Sequence, residues 1–162
     1  MEFSATLDHK GTPGLVTYSQ EELSFSTLHC RNLFCSLTFG DMYLSLDVAE
    51  DCKTVCSVSG FCSPCLWERC SLTIPDAELG TLKCLGNDLS IGCGYKIHGN
   101  WGVYYDPSSL SLSLMIAQKT HDNSQGDKRS YVRFIDNAIA VLAGTKLIAV
   151  YIERVGISNA KS

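Results

Sequence analysis

The sequence reads LFCSLTFGDMYLSLDVA from residue 33 to residue 49. Apolar residues occupy every second position from Met42 to Val48, which is the period of a strand with one buried face. Gly40-Asp41 interrupts the pattern, and glycine tolerates the positive φ that a tight hairpin turn requires. The stretch therefore predicts an antiparallel hairpin with strands at Leu33–Phe39 and Met42–Ala49 and a two-residue turn between them.

The same alternation recurs along the rest of the chain. Leu110, Leu112 and Leu114 alternate with serines, which predicts a strand with one buried and one solvent-facing side. Glycine, proline, asparagine and aspartate interrupt the apolar segments about every 8 to 12 residues. We therefore predict a mainly β fold, an antiparallel barrel or sandwich of about ten short strands.

The C-terminal region fits two periods. Six apolar residues fall on one helical face, with Gly144 as a C-cap: Tyr131, Phe134, Ile135, Ala138, Ile139 and Leu142. However, the content of β-branched and aromatic residues and the Asp136-Asn137 pair favour two strands joined by a turn. We favour the strands and keep one C-terminal helix, at residues 131–143, as the alternative.

Length and composition indicate one domain. The chain has 162 residues, of which 45% are hydrophobic and 19% charged, the profile of a compact fold with its own core. Nothing in the sequence resembles an interdomain linker. We therefore expect residues 1–162 to form a single globular unit, in which the all-polar stretch 120–129 is one long solvated loop.

Charge and hydropathy exclude two classes of partner. The formal net charge is −4 and the basic residues are scattered, whereas nucleic-acid binding requires clustered lysine and arginine. The longest apolar run, Ala138–Ala143, is too short to cross a bilayer, and the first residues lack the charged and apolar regions of a secretory signal. We therefore expect a cytoplasmic protein with no nucleic-acid or membrane partner.

The nine cysteines are interpreted chiefly as free thiols. An odd number leaves at least one thiol unpaired, and without an export signal the thiols should stay reduced. Free cysteine is among the most buried residue types, so most of these thiols should act as small hydrophobes. Cys30, Cys35, Cys84 and Cys93 fit this interpretation best, since each lies in an apolar or alternating stretch.

Cys62-Ser-Pro-Cys65 is the sharpest local motif. Two thiols separated by two residues can share a metal or form a strained, reducible disulfide. Together with Cys52 and Cys56, they would supply four thiolates for tetrahedral zinc. The two cysteine pairs are, however, closer together in the sequence than the pairs of common zinc sites. The cluster thus suggests structural zinc or thiol redox chemistry, and apart from zinc we expect no cofactor.

A second hairpin is predicted at Ile91–Asp106, with a three-residue turn that pairs Ile97 with Trp101. One face of this hairpin is apolar, and the other has three glycines that leave room for a ligand to approach the backbone. On it Tyr104 would lie across from Gly94 and cover it. The predicted ligand-binding residues are Gly92, Gly94, Lys96, Gly102 and Tyr104.

Function follows from the sequence only at the level of class. No nucleophile elbow, zinc-protease helix, phosphate-binding loop or dinucleotide-binding loop is present. The four histidines, at positions 9, 29, 98 and 121, stand apart from one another. We therefore expect a non-catalytic protein that binds a small molecule or another protein through the glycine face or a barrel interior. The alternative is a protein that uses the 52–70 cysteine cluster for zinc or redox chemistry.

Overall fold

A computed structural model describes residues 1–28, 33–86, 88–116 and 128–158. Within these ranges fifteen short strands form three sheets, and one turn of 3-10 helix spans Pro64–Leu66. In chain order the strands are β1 Phe3–Thr6, β2 Val16–Ser19, β3 Ser24–Thr27, β4 Leu33–Phe39, β5 Leu44–Ala49, β6 Val55–Phe61, β7 Trp67–Arg69, β8 Thr81–Cys84, β9 Gly94–Ile97, β10 Trp101–Asp106, β11 Ser111–Ile116, β12 Arg129–Ile135, β13 Ala138–Ala143, β14 Lys146–Ile152 and β15 Gly156–Ser158. The prediction of a mainly β fold is confirmed.

The seven-stranded sheet has the order β15-β2-β3-β6-β5-β4-β9. Its β4–β5 pair is the predicted hairpin, in antiparallel register with Leu37 opposite Leu46. Gly40 has the expected positive φ of 57°, but the loop continues to Tyr43 because the amide of Met42 donates to the carbonyl of Phe39. The two-residue turn is therefore wrong, although the hairpin is confirmed.

The six-stranded sheet has the order β12-β13-β14-β11-β10-β7. Its β12 and β13 are joined at Asp136-Asn137, and β14 continues the antiparallel series. The alternative of a C-terminal helix at residues 131–143 is wrong. The β-branched and aromatic side chains of this region are buried on a pleated surface, which is the environment that they favour.

The strand β11 is buried on both faces. Ser111 and Ser113 are as inaccessible as the leucines between them, so the predicted solvent-facing side is wrong. The reason is the register, which places Ser113 between Tyr104 of β10 and Tyr151 of β14. Neighbouring aromatic side chains thus enclose a small polar residue whose own sequence context suggested exposure.

One continuous cluster of buried apolar residues includes members of all three sheets, among them Phe3 of β1, Leu37 of β4 and Leu114 of β11. Aromatic pairs join the large sheets directly, since the ring centroids of Phe39 in β4 and Trp101 in β10 lie 4.8 Å apart. Among the described strands no sheet closes on itself, so a closed barrel is not formed.

Two further findings concern membrane-spanning helices and the predicted features that lie outside the described ranges. In the described ranges there is no helix with the length and apolar character needed to cross a bilayer. The predicted solvated loop at 120–129 lies outside the described residues except at its last two positions, as do Cys30, His29 and His121.

Candidate functional site

The five residues of the predicted glycine face belong to two different sheets. Gly94 and Lys96 lie in β9, which pairs in parallel with β4, and Gly92 lies just before that strand. Gly102 and Tyr104 lie in β10, between β11 and β7. The predicted hairpin is therefore wrong, and no common ladder brings the five residues together. That any of them binds a ligand stays a prediction.

The chain changes sheets at residues 98–100. The carbonyl of Ile97, which a hairpin would pair with Trp101, accepts from the Trp101 indole at 3.1 Å and from the amide of Gly40 at 3.0 Å. In β10 the ring of Tyr104 lies over Gly102, where an added Cβ would be 3.0 Å from it. Tyr104 thus covers the glycine of its own strand and leaves Gly94 open.

The four cysteines proposed as zinc ligands are distributed along the β5–β7 segment. Cys52 lies in the loop before β6, Cys56 is buried within β6 with its thiol 3.6 Å from the carbonyl of Asp47, and Cys62 and Cys65 flank the start of the 3-10 turn. Among the residues that the structure describes, no three metal-binding side chains come together. These cysteines therefore do not fit a common tetrahedral site.

The buried thiols are poor nucleophiles, because burial favours the protonated thiol over the thiolate. Burial raises the pKa of Cys35 to about 11, and it also raises the pKa of Cys62 and of Cys84. The indole Nε1 of Trp67 donates to the sulfur of Cys62 at 3.3 Å, which offsets part of that rise. Cys65 is exposed, and its sulfur lies 3.0 Å from the Ser63 hydroxyl. A redox role for the Cys62–Cys65 pair stays a prediction.

A cleft of about 590 Å³ opens where turns of the six-stranded sheet meet β2 and β15. We call it the Asn137 cleft, after the buried residue in its wall. Its lining combines aliphatic side chains with hydroxyls and charges: Leu15, Val16, Thr17, Ile74, Ser109, Ser111, Asp136, Asn137, Glu153, Arg154 and Gly156. Its volume is typical of ligand sites, and the polar groups of its lining can fix the orientation of a ligand.

Asn137 fixes the wall of the cleft by joining two sheets. Its Oδ1 accepts from the amide of Val16 at 2.8 Å, while its Nδ2 donates to the carbonyls of Val16 at 3.0 Å and Glu153 at 3.1 Å. The neighbouring Asp136 carboxylate accepts from the amide of Gly14 at 3.0 Å. The β12–β13 turn is therefore held against the segment that leads into β2.

Arg154 lies on a turn that is equally constrained. The amide of Val155 donates to the carbonyl of Leu110 at 2.8 Å, and Arg154 itself has a left-handed φ of 45°, which is strained for a residue with a Cβ. The Glu153 carboxylate forms an ion pair with Arg133. Among the described residues the Arg154 guanidinium has no ion pair or hydrogen bond, so it is available to a ligand.

A second, smaller cavity of about 160 Å³ lies beside Trp67, and we call it the Trp67 pocket. Its rings come from both large sheets, with centroid distances of 4.9 Å for Tyr18–Trp67 and 5.1 Å for Trp67–Tyr105. The Tyr18 hydroxyl donates to the carbonyl of Cys62 at 3.0 Å, which positions its ring. Arg69 also lines this cavity.

Sequence reasoning missed these cavities, and it also missed a buried carboxylate. Asp47 is 1% exposed and accepts hydrogen bonds from the hydroxyls of Ser36 at 2.7 Å, Ser45 at 3.2 Å and Ser59 at 2.6 Å. The place of Asp47 in the alternating pattern of β5 could be read from the sequence, but the three serines lie on three different strands. Ser45 precedes Asp47 by two residues on the same strand, but only the strand order brings Ser36 and Ser59 to the carboxylate.

Comparison with known proteins gives no further guidance. No protein-family model matches the chain, and no curated protein matches it either. The two described histidines, His9 and His98, are both exposed and line neither cavity. Function is therefore inferred from the geometry of the two cavities.

Proposed function

We propose that this chain is a non-catalytic binding protein whose ligand occupies the Asn137 cleft. The observation that carries the proposal is a cleft of about 590 Å³ with an available guanidinium, Arg154, on a turn that backbone hydrogen bonds hold in place. A site on such a preorganised wall loses little conformational entropy when a ligand binds. We take the two large sheets to be the packed layers of a sandwich, and the contact between Phe39 and Trp101 supports this arrangement.

The lining favours a small zwitterion. Arg154 offers a cation to a carboxylate, and Asp136, which accepts one amide hydrogen bond, retains a second oxygen for an ammonium group. Leu15 and Ile74 line the same cleft and provide aliphatic surface. A dipeptide with aliphatic side chains combines the three features and is of the size that such clefts accept.

The chemistry of the cleft supports binding rather than turnover. Among the described residues, the side chains that line it include neither histidine nor cysteine, and the Glu153 carboxylate is neutralised by Arg133. In the described part of the lining, no nucleophile has an adjacent base, which is the usual signature of covalent catalysis. The charged groups of the lining can therefore bind a ligand of complementary charge.

Titration calorimetry with L-leucyl-L-leucine tests the proposal. The N-acetyl dipeptide lacks the ammonium group, and leucyl-leucinamide lacks the carboxylate. We expect Arg154→Gln to weaken binding of the dipeptide about tenfold, because a charge-assisted hydrogen bond is lost, and to leave binding of the amide unchanged. Asp136→Asn should weaken the dipeptide but not its N-acetyl form.

The control is Arg129→Gln, an exposed arginine at the start of β12 that does not line the cleft. It should bind the dipeptide as the wild type does. If the dipeptide, its amide and its N-acetyl form bind with equal affinity, or if none of the three binds, the assignment of the cleft to a zwitterion is wrong.

A further inference from the structure

The Trp67 pocket is a separate cavity with a different chemistry from the Asn137 cleft. Its described lining includes the aromatic residues Tyr18, Trp67 and Tyr105, whereas that of the cleft combines aliphatic residues with hydroxyls and charges. Trp67 and Tyr105 belong to the six-stranded sheet and Tyr18 to the seven-stranded sheet. Because these rings come from three strands of two sheets, packing on both sides fixes their positions.

The volume of the pocket fits a single aromatic ring. A cavity of about 150 Å³ lined by apolar side chains accepts one benzene molecule. The Trp67 pocket has about 160 Å³, which is enough for one such ring, and its open side leaves the polar end of a ligand near Arg69. Aromatic side chains in the lining favour a flat ring, because aromatic pairs gain energy from edge-to-face or offset contacts.

Arg69 supplies the polar contact. It lies two residues after Trp67 on β7 and is in register with Tyr105, so its side chain leaves the strand on the same side as the indole. Among the described residues its guanidinium has no ion pair or hydrogen bond, and it lines the pocket together with the amide side chain of Gln20. A planar guanidinium and an amide match a carboxylate.

We propose that the Trp67 pocket is a second binding site, which takes a small aromatic carboxylate with its ring against the partly exposed side chains of Trp67 and Tyr105 and its carboxylate on Arg69. Binding here does not depend on the Asn137 cleft. The two sites recognise different ligands, so either proposal can fail while the other holds.

The two indole N–H signals of the chain provide the test, since Trp67 and Trp101 are its only tryptophans. Phenylacetate is titrated into the 15N-labelled protein, with Trp67→Phe used to assign the signals. We expect the Trp67 signal to shift saturably while the Trp101 signal does not move, because the Trp101 side chain is buried in the core and donates to Ile97. Benzyl alcohol should bind more weakly, and benzylamine should not bind.

Arg69→Gln should weaken phenylacetate binding about tenfold and leave binding of benzyl alcohol unchanged, since it removes only the charge-assisted contact. Arg129→Gln, at the opposite edge of the six-stranded sheet, is the matched control and should bind as the wild type does. Arg69 is exposed, so the variant should keep the dispersed spectrum of a folded protein.

Three results would overturn the proposal. Benzylamine could bind as tightly as phenylacetate, which would show that the guanidinium does not select the charge. Phenylacetate could shift both indole signals equally or neither of them. A tetrapeptide that ends in phenylalanine could bind more tightly than phenylacetate, and the site would then belong to a protein terminus rather than a small molecule.

Discussion

Asp106 illustrates how one side chain can make the stability of this protein depend on pH. The Ser108 hydroxyl donates to its Oδ1 at 2.6 Å, the amide of Leu72 to its Oδ2 at 3.0 Å, and the amide of Ser108 to Oδ1 at 2.9 Å. These donors, the Ser108 hydroxyl above all, hold the pKa of Asp106 well below its ordinary value of 3.8. The folded protein therefore favours the ionised carboxylate.

The sign of the pH effect follows from the lowered pKa. A carboxylate with a lowered folded-state pKa contributes stability that is complete above its ordinary pKa and is lost as the pH falls below about 4. We expect Asp106→Asn to lower the urea midpoint at pH 7, and we expect the difference from wild type to shrink at pH 3. Exposed Asp76→Asn is the control. An Asp106→Asn deficit that is the same at both pH values would contradict this account.

Residue-level features differ in how far the sequence could predict them. The positive φ of Gly40 was predictable, because the residue itself and its apolar flanks carry the signal. The roles of Asn137 and Arg154 were not, since their partners lie far away in the chain, as Val16 does from Asn137. A side chain whose function depends on long-range contacts leaves no local pattern.

The segment from Cys62 to Trp67 allows a packing role of the Cys62 and Cys65 thiols to be distinguished from a metal-binding role. It carries the chain from β6 in one large sheet to β7 in the other. Cys62 is 4% exposed and accepts the indole hydrogen bond of Trp67, whereas Cys65 is exposed. The two thiols of the motif therefore have different environments.

We predict that Cys62→Ala lowers the free energy of unfolding by about 1–2 kcal/mol, because it leaves a cavity and removes the acceptor of Trp67. Cys65→Ala should change it by less than about 0.5 kcal/mol, as is usual at exposed positions. Urea denaturation with and without a chelator measures both. Equal losses in the two variants, with zinc released from the wild type, would restore the metal hypothesis.

Elements joined to their sequence neighbours were predictable, and those joined to distant strands were not. The β4–β5 and β12–β13 hairpins follow from alternation and turn residues. The strand β9 instead pairs in parallel with β4, and β7 pairs in parallel with β10. Parallel strands need a long crossover connection, so they are rarely adjacent in the sequence. A prediction that pairs residues 91–106 as a hairpin therefore selects the wrong partner strand.

At the scale of the whole molecule, both cavities border one short ladder. The β2–β15 pair places Thr17 opposite Gly156, which both line the Asn137 cleft, and Tyr18 opposite Ile157, which both line the Trp67 pocket. Successive side chains of a strand point to opposite faces. Both proposed sites thus depend on the junction between the large sheets.

The two tryptophans report on that junction from different places. Trp101 of β10 contacts Phe39 of β4, and Trp67 of β7 contacts Tyr18 of β2, so each indole joins the six-stranded sheet to the seven-stranded sheet. The buried cluster that includes all three sheets indicates that neither large sheet has a core of its own. The large sheets should therefore unfold together.

We predict one cooperative transition. In Trp67→Phe the remaining fluorescence reports on Trp101, and in Trp101→Phe it reports on Trp67. Each variant should be destabilised by about 1–3 kcal/mol, but within each variant the urea transition seen by fluorescence should coincide with the one seen by far-ultraviolet circular dichroism. If the Trp67 signal is lost before the sheet signal, the junction opens as a separate unit, and the single-domain prediction is wrong. Coincident curves in both variants mean that a ligand in either cavity stabilises the whole fold, because it binds only the state in which the sheets are packed.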